Sequence, residues 1–414
     1  MSCNIGIFGG SFDPIHIGHR RIIEAALSKY KFSKFYLMPT SGAEYKERFL
    51  SLAGHRYALC SLAIEDLPEV KLSRLELKQT EEPNYTANTV KLLGERLEAK
   101  GIKKYKLFLI YGSDALEYFE RWYKPEKILK RASLLIALRG NDHLEAEKYY
   151  AKARYLEEKY GGTIEFFPME SIEISSTQLR SDLQEDIVER RYYPPGVANF
   201  LKQHKIYKFY KDFQNLSPET HAALRRFENI LWSQMPFRRL IHSENVSLYA
   251  CHLAAVHGVD PNKAAIAGLL HDACKNIPLH EQYEYASKSG FMEELNDKLV
   301  HGPASAYWLR EVLEIEDQDI YDAVMYHTTA RPQMPDLEKI LYLADKIEFG
   351  RSFADLPEIR TVAEKDLDAA LVLCFIEVID AMGRRGQKLH PLSKQLIEEL
   401  SLKYDLSELS AGEA

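Results

Sequence analysis

Cysteine is scarce and scattered: Cys3, Cys60, Cys251, Cys274 and Cys374 are odd in number and form no C-x-x-C pair. That argues against a disulfide framework or a structural zinc knuckle and fits a reducing compartment. No apolar run approaches the roughly 18 residues that would cross a bilayer, so no membrane partner is expected. The opening MSCNIGIFGG has no basic segment followed by a long apolar one. It reads as a first strand instead of a signal peptide, and the expectation is a cytoplasmic protein. Positive charge is not in excess either, with 54 Lys and Arg against 61 Asp and Glu. A protein that neutralises many nucleic-acid phosphates needs the opposite balance, so no nucleic-acid partner is expected. A small phosphorylated ligand needs only a few local cations. Internal repeats and low-complexity tracts are also missing.

What is present is an ordinary globular composition, 46% hydrophobic and 28% charged with a mean hydropathy of −0.33, over 414 residues. That length is about twice a typical domain. The first half alternates short apolar runs with amphipathic stretches. Strands are predicted at 4–8, 34–38, 70–75, 106–110, 133–137 and 164–167. Helices are predicted at 18–30, 54–66, 85–100 and 142–160. Such alternation predicts a parallel sheet covered on both faces. Tyr207 to Ser217 shows no clean period. Ser217-Pro218-Glu219 then starts a helix with a capping serine and an early proline. From there on the pattern is helical, so the expected domains are α/β over 1–210 and all-α over 211–414.

Residues 5–19 read I-G-I-F-G-G-S-F-D-P-I-H-I-G-H. A bare glycine pair is usually only a tight turn. Here a strand runs into Gly9, Gly10, Ser11 and Phe12, and a helix begins near Gly18. Backbone N–H groups and a helix N-terminus then face an anion, with His16 and His19 placed to offset charge during nucleotidyl transfer. The stretch resembles the signature of the nucleotidylyltransferase superfamily. Ile174-Ser175-Ser176-Thr177-Gln178-Leu179-Arg180 resembles the same superfamily's I-S-S-T-x-L-R motif. Asn84-Tyr85-Thr86, Gly112-Ser113-Asp114 and Trp122 are similar to the nicotinate-mononucleotide adenylyltransferase branch, as are Pro194-Pro195-Gly196-Val197 and Ile206-Tyr207. The resemblance implies a Rossmann-like sheet that uses Mg2+ and ATP. Its catalytic residues would be His16, His19, Lys46 and Arg180. ATP would be held by Gly9, Gly10, Ser11, Phe12, Asp114, Ser175, Ser176 and Thr177, and the nicotinate nucleotide by Asn84, Tyr85, Thr86, Trp122 and Arg139. Two loops depart from the branch: Ser41 to Lys46 lacks its double proline, and Arg139-Gly140-Asn141 replaces Arg-Pro-Gly.

In the helical half His242, His271-Asp272, His301, His327 and Asp345 sit within apolar helical sequence. A lone histidine there is more often a hydrogen-bonded core residue than a ligand. Six such groups in this order suit a divalent transition metal, because buried polar groups require partners. His271 and Asp272 are expected to project from one helix about 100° apart. The pattern resembles the HD superfamily of metal phosphohydrolases, an all-α bundle. Within it, the sequence is similar to the branch that splits diadenosine tetraphosphate into two ADP and is associated with iron. By that resemblance His242, His271, Asp272 and Asp345 hold iron or another divalent metal. Arg239, Lys275, His301, His327, Thr328, Lys346 and Arg351 contact polyphosphate; His301 and His327 could instead hold a second metal. Ala330 stands where the branch has glycine before Arg331-Pro332.

The implied protein is a bifunctional enzyme with small-molecule substrates. One half joins ATP and nicotinate mononucleotide into nicotinate adenine dinucleotide; the other hydrolyses diadenosine tetraphosphate symmetrically. The alternatives for the second half are a hydrolase of nucleoside triphosphates, cyclic nucleotides or guanosine tetraphosphate, or a silent nucleotide-binding regulator. Homo-oligomerisation is left open.

Overall fold

The computed structural model describes residues 3–41, 49–78, 84–139, 143–170, 172, 174–384, 386 and 388–404. The chain divides into two compact units, Met1–Lys208 and Phe209–Ala414.

In the first unit six strands form one parallel sheet: β1 (Cys3–Gly10), β2 (Lys34–Pro39), β3 (Val70–Leu72), β4 (Tyr105–Gly112), β5 (Ala132–Arg139) and β6 (Ile164–Met169). Their order is β3-β2-β1-β4-β5-β6. β1 pairs with β2 from Ile5–Lys34 to Gly10–Pro39 and with β4 from Cys3–Tyr105 to Phe8–Ile110. Both faces of β1 are covered, so Ile5, Ile7 and Phe8 are all buried, as a strand without polar alternation requires. The chain winds to one side of β1 through β2 and β3, and to the other through β4, β5 and β6. The carboxyl ends of β1 and β4 therefore border the switch point, where ligands of such sheets bind.

The second unit is helical. Its first long helix, Pro218–Gln234, starts on Ser217, whose Oγ accepts the Thr220 N–H at 3.1 Å. The helices Phe237–His257 and Pro261–Leu270 pack at their closest beside Gly268, where a Cβ would lie 2.6 Å from the Ser247 Cα. Only glycine lets two helix backbones meet at that distance. The helices His301–Leu313, Gln318–Tyr326, Asp336–Ile347 and Leu367–Gly383 complete the part of the bundle that carries chemistry.

Two expectations need correction. The aperiodic stretch after Tyr207 contains a helix, Ile206–Phe213; its eight residues are too few to establish a period. His271 and Asp272 do not project from a helix. The helix Pro261–Leu270 ends before them, and they occupy the turn that follows.

Candidate functional sites

At the end of β1, His16 is the N-cap of the helix Ile17–Lys29, and its backbone N–H donates to His19 Nδ1 at 3.3 Å. The two imidazoles overlap with centroids 3.8 Å apart. A Cβ on Gly18 would crowd the His16 ring at 3.1 Å, so this face of the helix start stays clear for the ring. Phe12 is buried with φ 47° and meets His19 edge-on at 5.1 Å.

The second motif arrives from 160 residues away. His16 Nε2 lies 3.2 Å from Ser176 Oγ at the start of the helix Ser176–Gln184. Arg180 donates to the Asp13 carbonyl at 2.8 Å and to Thr177 Oγ1 at 3.0 Å. Ser175 and Thr177 are exposed beside them. Asp114 is exposed just after β4. Asn84 donates to Ser41 Oγ and, at 3.1 Å, to the Glu76 carbonyl. Tyr85 stacks on Tyr123 at 4.7 Å, Trp122 meets Tyr111 edge-on at 5.0 Å, and Thr86 opens the helix Thr86–Ala99. Lys46 and the Arg139 side chain lie outside the described residues.

Sequence reasoning missed the groups that tie this site together. Asp13 Oδ1 accepts the Tyr207 hydroxyl at 2.9 Å, and Oδ2 accepts the Ser51 N–H at 3.3 Å. Arg56 is fully buried and donates to the carbonyls of Ser51, Ser11 and Ser41 at 2.8, 2.7 and 3.4 Å. One guanidinium thus fixes three points on the two loops that leave the carboxyl ends of β1 and β2, with its charge spread over main-chain oxygens. The clue in the sequence is an arginine inside the otherwise apolar A-G-H-R-Y-A-L-C. Glu76 is buried nearby and accepts Thr89 Oγ1 at 2.7 Å. Burial pushes its carboxyl up to about 7 against the opposing effect of Thr89, Thr40 and Arg56.

In the second unit the histidines converge on two carboxylates. His271 and His327 lie in turns that close helices, and each Nδ1 bonds a carbonyl three residues back, Gly268 at 2.8 Å and Val324 at 2.7 Å. Those bonds take up the Nδ1 protons and leave the Nε2 lone pairs directed inward, buried and without a hydrogen-bond partner. His271 Nε2 stands 3.6 Å from Asp272 Oδ2 and 3.7 Å from Asp345 Oδ1; His327 Nε2 is 3.7 Å from Asp272 Oδ1. His242 Nε2 approaches Asp345 Oδ1 to 3.0 Å, off the axis a hydrogen bond requires. His301 Nε2 is 3.1 Å from Asp272 Oδ1. Two groups of donor atoms, His242–His271–Asp345 and His271–Asp272–His327, each fall within 4.8 Å.

Ligation needs neutral imidazole and ionised carboxylate, and His271, His301 and both aspartates meet that condition. His242 does not, since burial lowers it but Asp345 and Glu348 raise it to about 9. Burial pushes His271 down to about 3 and His301 down to about 4, although Asp272 pulls both upward. Burial raises Asp272, but His271, His301 and His327 hold it well below the carboxylate range. Asp345 is likewise raised by burial and held low by Lys346 and His242. Buried lone pairs with no protein partner, beside anionic oxygens, are a donor set that a divalent cation fits.

Glu348 is a second group that sequence reasoning missed. It is buried, accepts from Asn245 at 2.7 Å and lies 3.2 Å from His242 Nδ1. This is the carboxylate–imidazole pairing that orients metal-binding histidines. Above the cluster opens a cavity of about 960 Å³ lined by Arg239, Lys275, His301, Thr328, Lys346 and Arg351, with Asp272 and Asp345 at its base. Arg239 donates to Asp272 Oδ2 at 2.6 Å, Arg351 to Asp345 Oδ1 at 3.1 Å, and Lys275 Nζ meets His301 Nδ1 at 2.8 Å. His327 belongs to the buried cluster and is absent from the cavity wall.

The two units define a class: a nucleotidyltransferase-type sheet followed by an HD-type helical bundle. Residues 7–182 match the cytidylyltransferase-like family and residues 239–350 the HD domain. A probable nicotinate-nucleotide adenylyltransferase/Ap4A hydrolase of Mycoplasma pneumoniae is 25% identical over 88% of this chain and 96% of its own. A symmetrical bis(5'-nucleosyl)-tetraphosphatase of Halalkalibacterium halodurans is 33% identical over 40% of this chain and 90% of its own. A probable nicotinate-nucleotide adenylyltransferase of Lachnoclostridium phytofermentans is 31% identical over 49% of this chain and 98% of its own. The chain belongs to the nicotinate-nucleotide adenylyltransferase family in its first unit and to the symmetrical bis(5'-nucleosyl)-tetraphosphatase family in its second.

Proposed function

We propose that this chain is a bifunctional enzyme: residues 1–210 transfer AMP from ATP to nicotinate mononucleotide, and residues 211–414 hydrolyse diadenosine tetraphosphate to two ADP. In the first reaction a phosphate oxygen of the mononucleotide attacks the α-phosphorus of ATP and pyrophosphate departs. His16 and His19, with Arg180 and the Ser176 helix start, are assigned to offset the charge that develops on the phosphates. Lys46 is assigned to the same role. Mg2+ accompanies ATP. Tyr85, Trp122 and Asn84 are assigned to the pyridine nucleotide.

In the second unit His242, His271, Asp272 and Asp345 would hold iron or another divalent metal, with His301 and His327 beside them. When bound, such a metal polarises a phosphoryl oxygen and lowers the pKa of water. Arg239, Lys275, Lys346 and Arg351 neutralise the polyphosphate above it, and Thr328 offers it a hydroxyl. The observation that carries this reading is the buried, unpartnered Nε2 pair of His271 and His327 beneath a cavity walled by cations.

The test is product identity. With Mg-ATP and nicotinate mononucleotide the full chain should form nicotinate adenine dinucleotide and pyrophosphate. With iron or manganese it should convert diadenosine tetraphosphate into ADP alone. AMP and ATP as products would overturn the symmetrical assignment; an inert second unit that retains its metal would point to a regulator.

A further inference from the structure

The cavity over the metal cluster has a second wall that phosphate chemistry does not require. Away from Arg239, Lys346 and Arg351 it is lined by Val378 and Met382 of the helix Leu367–Gly383, by Leu389, and by the buried rings of Tyr342 and Phe375. The rings are stacked with centroids 5.2 Å apart. Tyr342 lies one helical turn before Lys346, whose Nζ stands 4.8 Å from the Tyr342 centroid. The apolar wall is therefore joined to the cationic one through a single side chain. A polyphosphate gains nothing from apolar surface, and a volume of about 960 Å³ is near the upper end for whole organic ligands. Another part of the lining differs: Tyr283 donates its hydroxyl to Asp297 at 2.9 Å, and Asn296 and Lys298 also line the cavity.

We infer that the Phe375–Val378–Met382 wall, closed by Leu389, is the nucleobase subsite of the hydrolase, taking the purine ring of one ADP half. The inference rests on the hydrolase reading above. A nucleoside polyphosphate is anionic at one end and flat and weakly polar at the other, and this cavity presents complementary ends in that order. The base lies against a thioether and a branched aliphatic side chain, both of which pack well on a π face. The phosphates then run past Lys346 and Arg351 toward the metal cluster.

Two measurements on the metal-loaded full chain test it. Hydrolysis of diadenosine tetraphosphate is inhibited in parallel by ADP and by inorganic tripolyphosphate, which lacks a base. Val378→Glu should raise the ADP inhibition constant about tenfold and the milder Met382→Ala about threefold. Tripolyphosphate inhibition and bound metal should stay within about twofold of the parent. Independently of turnover, 8-azido-ADP should on illumination label a second-unit peptide from the helix Leu367–Gly383, and diadenosine tetraphosphate should prevent the labelling. Unmoved ADP inhibition in both variants, tripolyphosphate inhibition that moves in step, or label on the Tyr283 peptide each overturns the subsite and leaves the hydrolase reading intact. A parent chain that leaves the dinucleotide uncleaved overturns both.

Discussion

Ala330 is fully buried with φ 55°, and its N–H closes the preceding helix by donating to the Tyr326 carbonyl at 2.7 Å. The left-handed region costs an L-residue with a Cβ about 1 kcal/mol relative to glycine. Ala330→Gly should therefore raise the unfolding free energy of the second unit by about 1 kcal/mol in urea denaturation. No gain would mean that the alanine methyl offsets the strain by packing. Glu76 poses the reverse problem, a carboxyl whose ionised form is penalised. Its folded value is about 7 against an ordinary 4.5, so the folded state holds an extra proton between those values. Stability of the first unit should accordingly fall as pH rises from about 4.5 to 7 and level off above. Glu76→Gln should flatten that slope and leave the variant the more stable above pH 7, on the order of 3 kcal/mol. Hydrogen exchange of the β1 and β4 amides across pH 5–8 would reveal it.

Among the elements, the six strands and the four long helices of the first half were legible with differences at their ends, whereas the short helices Pro125–Arg131 and Pro195–His204 were not singled out. The helix Ile206–Phe213 was not legible either, although Ile206, Tyr207, Tyr210 and Phe213 are buried along it, because eight residues span only two turns, too short a stretch to establish a period. The site divided along the same line. Motif residues close in sequence, such as Gly9 to His19, could be grouped by reading. Arg56, Asp13 and Glu348 act across 38 to 194 residues, a separation that no local pattern encodes. The turn after Leu270 is instructive: helical spacing predicted His271 and Asp272 about 100° apart on one helix, close enough to border one ion, whereas both face the cluster from the turn that follows the helix. Gly268 lies two residues before the end of that helix, against the backbone of Ser247. Gly268→Ala would push a methyl to 2.6 Å from the Ser247 backbone. It should destabilise the second unit by about 2 kcal/mol and reduce retained metal, read together by denaturation and elemental analysis. Destabilisation with undiminished metal would detach the helix contact from the site.

For the whole molecule, the two ligand sets occupy separate units, so they should respond separately to solution conditions. A chelator should lower the melting temperature of the Phe209–Ala414 transition and leave the Met1–Lys208 transition where it was, by calorimetry. A common shift would show that one unit's stability depends on the other's. His242 and Asp345 are about a hundred residues apart in sequence, and His271-Asp272, His301 and His327 fall between them. A cation gripping these points would fasten the chain as a disulfide does, in a protein whose five cysteines are all free. Occupied and vacant forms would then differ in lifetime as well as in turnover. Where proteases sample the opened chain, the starved form is cleared first, and the abundance of both activities on this polypeptide comes to track metal supply.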